Sequence, residues 1–194
     1  EHLHLWTAIG CIAGAMRRQV WVDMEYFQVY PNNYVILVGP PGDGKTTAMN
    51  IGRKILAKVP GVRFSVDSTS RERLIVDMSQ ATADGTSAMT GFSSEFGSLL
   101  TTSAMDMVMF LIEMYDSGDS YEHRTKSGGT NKIKLPCFNL IACTTPEWFA
   151  TGLPLQSTGV GLLSRTLFVF NTGPRKLVPF PTLTTEQRAL HDLL

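Results

Sequence analysis

An α/β fold, a mostly parallel sheet with helices on both faces, is predicted by three observations. Tyr34-Val-Ile-Leu-Val38 is a continuous apolar run, rich in β-branched residues, of the kind found in strands buried on both faces. Directly after it, Gly39-Pro-Pro-Gly-Asp-Gly-Lys-Thr46 matches G-x-x-x-x-G-K-[ST] at every position. That loop opens a helical pattern carrying Ala48, Ile51, Ile55, Leu56 and Val59. Beyond the junction, strand-like and helix-like patterns alternate as far as Phe170, which argues for parallel strands joined by crossover helices.

The elements follow in order. His2 to Arg18 predicts a helix with Leu5, Ile9, Ile12 and Met16 on one face and Arg17-Arg18 at its C-terminal end, where positive charge is favoured. "QVWV" and "YFQVY" read as short strands before Pro31-Asn-Asn33, a turn that leads into the first core strand. Val62 to Val66 predicts a second strand, and Ser70 to Gln80 a helix capped by Ser68 or Thr69. "SAMTGFSSE" predicts a third strand and "SLLTTSAMDMVMFLIEMYD" a long apolar helix whose methionines fill the core. Tyr121 to Lys126 and Thr130 to Leu135 flank Ser127-Gly128-Gly129 and predict a β-hairpin. The strand "FNLIACTTP", a short helix from Pro146 and the strand "SRTLFVF" complete the core, and Thr184-x-x-Gln187 resembles a capping box opening a last helix. The organisation expected is an ATPase core over residues 34–175, preceded by a helix and short strands (1–33) and followed by an extension (176–194) leading into a further region.

Composition excludes several function classes. With 194 residues and 43% hydrophobic content the chain can bury one sizeable core. Its 17 basic and 17 acidic residues balance, so any attraction to nucleic acid must be local. No apolar run reaches the roughly 20 residues of a membrane span, and no signal peptide opens the chain, so a cytoplasmic place is expected, in bacteria or phage-infected cells. Cys11, Cys137 and Cys143 sit in apolar surroundings without metal spacing and read as reduced core cysteines. His2, His4 and His123 lack carboxylate or cysteine partners at ligand spacing.

The glycine-rich loop predicts a bound nucleoside triphosphate. Backbone N–H groups of Gly39, Gly42, Asp43, Gly44, Lys45, Thr46 and Thr47, with the positive end of the helix, converge on a polyphosphate. Pro40 and Pro41 belong to the same cofactor-binding loop, Lys45 reaches the β- and γ-phosphates, and the Thr46 hydroxyl ligates Mg²⁺. Glu95, at the C-terminal end of the third strand, is placed either to activate the attacking water or to cap the following helix. Its neighbour Ser94 offers a hydroxyl to a metal-bound water but no charge. Thr144 and Thr145 end an apolar strand, where one contacts the γ-phosphate or lytic water, or both serve as a helix start. Arg165, at the mouth of the last strand, reads as a γ-phosphoryl contact in its own or a neighbouring subunit's site, or as a surface ion pair.

The ordered set "YVILVGPPGDGKTT", "SSEFGSLL", "NLIACTTPEWF" and "GVGLLSRTLFVF", with "RRQVWVDM" before it, resembles a helicase-like AAA+ family of phages, plasmids and bacterial mobile elements, related in layout to viral replicative helicases. The resemblance spans nearly the whole chain. It implies an AAA+-like P-loop NTPase sheet with a β-hairpin inserted before the sensor strand, with Gly39 to Thr47 as Walker A loop and Glu95 as Walker B glutamate. It also implies Thr144 or Thr145 as sensor, Arg165 as arginine finger or second sensor, and ATP with Mg²⁺ as ligands. Members of that family commonly carry Asp-Glu where this chain has Ser94-Glu95. Arg124, Lys126, Lys132 and Lys134 put positive charge on the hairpin, which in the family projects into a ring's channel and holds single-stranded nucleic acid; a plain solvated hairpin is the other reading. A DNA helicase or translocase acting as a homo-oligomeric ring is therefore expected. The rivals are a protein-remodelling or defence-associated ATPase, and a nucleotide switch of low turnover.

Overall fold

The computed structural model describes residues 2–65, 67–100, 104–125, 129–152, 161–171 and 182–193. Its centre is β3 (Tyr34–Val38), in which every residue is buried, so each aliphatic side chain contributes about 1.5–3 kcal/mol by leaving water. β3 lies between β8 (Cys137–Thr144) and β9 (Thr166–Phe170), and β5 (Thr86–Ser93) lies beyond β8; all four strands are parallel. The α/β fold class expected from the sequence is thus observed, with the all-parallel layout that P-loop NTPases use.

Alternation along the strands divides the core in two. Val35, Leu37, Ile141, Cys143 and Phe92 face α1 (His2–Met16) and α2 (Lys45–Leu56). Tyr34, Ile36, Val38, Phe138 and Leu140 face α3 (Arg71–Gln80) and α4 (Ala104–Tyr115). Helices therefore cover both faces, and both strand faces read as apolar for that reason.

Several local expectations change. The α1 residues Leu5, Ile12 and Met16 point away from the sheet, whereas Leu3, Thr7, Gly10, Cys11, Ala13 and Gly14 are buried. Close approach explains the choice: a Cβ on Gly10 would stand 2.8 Å from Ile141 Cδ1, and one on Gly14 2.6 Å from Thr90 Oγ1. Small residues let α1 lie directly on the sheet, and Leu5, Ile12 and Met16 are left outside. The second strand shrinks to a single parallel bridge, Phe64 to Thr90, beside β5. The cap of α3 is Ser70, whose Oγ accepts from the Arg73 N–H at 3.2 Å, rather than Ser68 or Thr69. Of the segment read as one long apolar helix, Phe96–Leu100 forms a 3₁₀ turn and Ala104–Tyr115 forms α4. A strand not expected from the sequence, β4 (Thr82–Ala83), folds back antiparallel on β5 through Asp84-Gly85, both at positive φ. That Asp-Gly pair is a known hairpin signal and was legible in the sequence.

The two N-terminal strands, β1 (Val22–Asp23) and β2 (Gln28–Val29), pair only with each other. The expected hairpin is present as β6 (Ser120–Thr125) and β7 (Gly129–Lys134). Lys126, with the turn residues Ser127 and Gly128, lies outside the described residues. α5 spans Pro146–Thr151, and α6 spans Thr185–Leu193. The capping box of α6 forms as expected: Thr184 N–H donates to Gln187 Oε1 at 3.0 Å, and Gln187 N–H to Thr184 Oγ1 at 3.2 Å. Among the described residues no helix is long and apolar enough to cross a membrane.

Candidate nucleotide site at the strand ends

Register carries the candidate residues to one place. Val38 is level with Thr144 on β8 and Phe170 on β9, while Ser93 of β5 is level with Ala142 of β8. Running along the C-terminal ends, the order is therefore Ser94 and Glu95 after β5, Thr144 and Thr145 on β8, Gly39 after β3, and Asn171 after β9. Ligands of open parallel sheets bind at this end. With strands about 4.8 Å apart, the β5 strand stands roughly 10 Å from the β3 strand, a gap that one carboxylate side chain and one phosphoryl group can fill.

The loop itself is shaped by two glycines at positive φ, Gly42 (76°) and Gly44 (82°). Gly44 caps α2 without a side chain, so the first N–H groups of the helix remain free of side-chain partners. They and the helix dipole are directed at whatever anion lies in the loop. The Gly39 N–H donates to the Thr144 carbonyl at 3.3 Å and ties the loop to β8. Lys45 is buried, and its Nζ donates to the carbonyls of Gly39 at 2.6 Å and Pro40 at 2.7 Å. Two of its three protons are thus held within the loop, where phosphate oxygens can compete for them. The exposed hydroxyls of Thr46 and Thr47 stand at the start of α2.

Cys143 of β8 is buried against α2, its Sγ 3.9 Å from Met49 Sδ. Burial pushes its thiol up to about 11, while the Thr46 hydroxyl hydrogen-bonds to it, the Lys45 ammonium pulls it down and the Glu95 carboxylate pushes it up. Cys143, like Cys11 and Cys137, is a buried free thiol, as expected.

Glu95 is exposed, just past β5. Its backbone carbonyl accepts from Ser93 Oγ at 2.8 Å, Ser98 Oγ at 2.7 Å and Ser98 N–H at 3.0 Å. Its main-chain carbonyl thus closes the 3₁₀ turn that follows. Ser94 beside it is exposed as well. The two threonines separate: Thr145 Oγ1 accepts from the Trp148 N–H at 3.3 Å as N-cap of α5, while Thr144 is buried between the phosphate-loop strand and the Glu95 strand. Thr145 is therefore the helix start, and Thr144 takes no part in that cap.

Arg165 is not brought to this end. It precedes Thr166, which is level with Tyr34 at the start of β3, so roughly 20 Å of strand separates it from the chain's own loop. Its Nε and Nη2 fork onto the Asp116 carboxylate at 2.8 and 2.9 Å, and Nη1 donates to the Gly161 carbonyl at 3.2 Å. Within one chain the geometry rules out direct contact with the γ-phosphate; the ion pair is the arrangement found.

Asn171 had no sequence signal. Its Nδ2 lies 3.0 Å from each Asp43 carboxylate oxygen, clamping the loop to the end of β9 across 128 residues. Among the described residues no cluster of three His, Cys, Asp or Glu side chains exists to cage a metal. The loop fits Mg²⁺ only in the way such sites usually do, with a hydroxyl, waters and the phosphates themselves as ligands.

The hairpin has two unlike faces. Tyr121, His123 and Ile133 turn inward: Ile133 is fully buried, Phe110 packs edge-on to Tyr121, and Arg71 of α3 donates to Tyr121 Oη at 2.8 Å. Arg124, Lys132 and Lys134 are exposed on the other face, with Glu122 among them. Lys132 bonds Glu122 at 2.8 Å and holds that carboxyl below its ordinary range, with Arg124 adding to the effect at 3.4 Å. The hairpin root bonds to the start of β5 through Lys134 N–H and Ser87 Oγ, so it lies at the end of the sheet away from the phosphate loop.

Neither a known family nor a curated protein matches this chain.

Proposed function

We propose that this chain binds ATP with Mg²⁺ and hydrolyses it, and that it couples the cycle to movement along single-stranded DNA within a homo-oligomeric ring. The observation that carries the nucleotide reading is the loop after β3, bent by Gly42 and Gly44 at positive φ and holding the buried Lys45 at the head of α2, at the C-terminal end of a parallel sheet. In this reading the loop N–H groups and Lys45 hold the β- and γ-phosphates, and Thr46 holds the metal, with Ser94 reaching its water shell. Bound Mg²⁺ supplies charge neutralisation between the phosphates. Glu95 orients and deprotonates the lytic water, and Thr144 fixes its position.

The basic outer face of the hairpin supports the DNA reading, since it gathers Arg124, Lys132 and Lys134 in a chain of no net charge. Arg165 fits this scheme only as a finger reaching a neighbouring subunit's site, after leaving Asp116. Ser94 favours a second reading, a nucleotide-dependent switch with slow turnover, because no acidic residue precedes Glu95 to hold the metal.

The test is nucleotide binding and ATP turnover of the full-length protein, with and without single-stranded DNA. Lys45→Ala should lose binding, while Glu95→Gln, which keeps shape but not the base, should bind ATP and cease to hydrolyse it. Binding without turnover in the wild type selects the switch. Turnover indifferent to DNA sinks the translocase reading, and equal binding by wild type and Lys45→Ala sinks the nucleotide site.

A further inference from the structure

The nucleotide reading leaves one feature of the surface unused. Residues 20–30 form a two-stranded arm outside the main sheet, joined by a turn in which the Met24 N–H donates to the Phe27 carbonyl at 3.0 Å and Glu25 adopts a φ of 69°. Its root is fixed: Arg18 donates to the carbonyls of Gly118 and Pro136, and its guanidinium lies 4.0 Å over the Tyr30 ring. Beyond the root, the arm's large apolar and aromatic side chains are exposed. Tyr26 is 93% exposed, Phe27 60% and Trp21 53%, with Val22, Met24 and Val29 exposed beside them. Those three aromatic side chains alone present roughly 300–500 Å² to water. That equals the largest apolar patch of a typical monomer and about half of one partner's share of a standard interface.

A complementary recess exists on the same chain. Between α1 and α2 runs an apolar groove of about 310 Å³, with Ile12, Ile51, Ile55 and Val59 at its rim. It continues into a recess of about 570 Å³ bounded by Leu190 of α6 and by Leu183 just before that helix. Lys54 and Lys58 border that recess, and among the described residues neither has an ion-pair partner. The arm carries Asp23 and Glu25 at its tip. Arm and groove are both exposed in one chain, so they do not cover each other within it.

We infer that the arm of one copy docks in the α1–α2–α6 groove of a second copy, with Asp23 and Glu25 against Lys54 and Lys58. Three observations select a second copy as the occupant. The arm's exposed area suits a protein interface, the charges at tip and groove are opposite, and the formal net charge of zero leaves no general repulsion between copies. The acidic tip speaks against an anionic lipid surface. Because the contact joins two different patches, it is heterologous and propagates from copy to copy until a ring closes or a filament grows. It stands without the nucleotide reading, and its test does not involve ATP.

The test is sedimentation velocity of the full-length protein over a concentration series. The wild type should assemble. Tyr26→Asp with Phe27→Asp, and separately Ile51→Asp with Ile55→Asp, should each weaken self-association by roughly thirtyfold or more, the loss expected for removing buried anchors. Mixing these two variants should give a dimer and nothing larger, since each keeps one intact patch. The charged variant Asp23→Lys with Glu25→Lys changes only exposed side chains; its weakened assembly should be restored by a partner bearing Lys54→Glu and Lys58→Glu. A wild type that stays monomeric, or a folded groove variant that assembles as the wild type does, overturns the inference.

Discussion

Asn171→Ala isolates the one contact in the candidate site that joins the phosphate loop to the far strand. In the wild type, Asn171 Nδ2 shares its protons between both Asp43 oxygens, 3.0 Å from each, and the Asn171 N–H reaches the Val38 carbonyl at 3.4 Å. The pair keeps the carboxylate against Gly39, where an added Cβ would lie only 2.6 Å from Asp43 Oδ2. Hydrogen bonds to a charged group contribute about 1.5–3 kcal/mol. Both side chains are half-buried, so solvent screens part of this and the lower end applies. Removing the amide frees an anion beside the place where phosphates bind, so ATP affinity should fall by roughly tenfold, equal to about 1.4 kcal/mol. Isothermal titration with ATP and with ADP measures it. The loss should be larger for ATP, which carries more negative charge, and should shrink as salt is added. Asp43→Asn in the Asn171→Ala background should recover most of the affinity, because it removes the repelling charge. Unchanged ATP affinity in Asn171→Ala, or no recovery in the double variant, would refute the idea that this clamp positions the loop.

Three further outcomes are expected. Replacing Lys132 and Lys134 with alanine should lower affinity for single-stranded DNA alike across sequences and flatten log K against log salt by roughly 0.7 for each phosphate no longer neutralised; filter binding at several salt concentrations reads this. Arg165 and Asp116 are 28% and 54% exposed at their side chains, so Arg165→Ala should cost no more than about 1 kcal/mol of stability. A finger role in a neighbouring site would instead cost on the order of 10³ in turnover, and Asp116→Asn, which frees the arginine, should leave turnover intact. Burial raises the thiols of Cys11 and Cys143 to about 11 and that of Cys137 to about 12, against 9.0 when exposed. Their protonated forms therefore favour the folded state fully below pH 9, and that stability is lost as pH rises toward 11 to 12. By pH 10 the loss should be on the order of 1 kcal/mol for each thiol, read as a fall in urea midpoint that the cysteine-to-alanine variant shows less of.

Sequence alone determined the features that depend on neighbours along the chain. The apolar run Tyr34–Val38, the glycines that permit positive φ, Lys45 at the helix start, the Thr184–Gln187 capping box and the hairpin at Gly129 all follow from short-range sterics and hydrogen bonds. Such features need no knowledge of what lies across the sheet. Tertiary structure alone decided which distant segments meet. Strand order puts Thr144 between Glu95 and the loop, brings Asn171 to Asp43, and sends Arg165 to the opposite end with Asp116. The buried face of α1 was decided in the same way. A helix lying directly on a sheet selects Gly10 and Gly14 for the contact because larger side chains would meet Ile141 and Thr90 there. Hydrophobic periodicity records how much a residue gains by leaving water; it does not record how closely two backbones approach, and that distance is set only once the sheet has assembled.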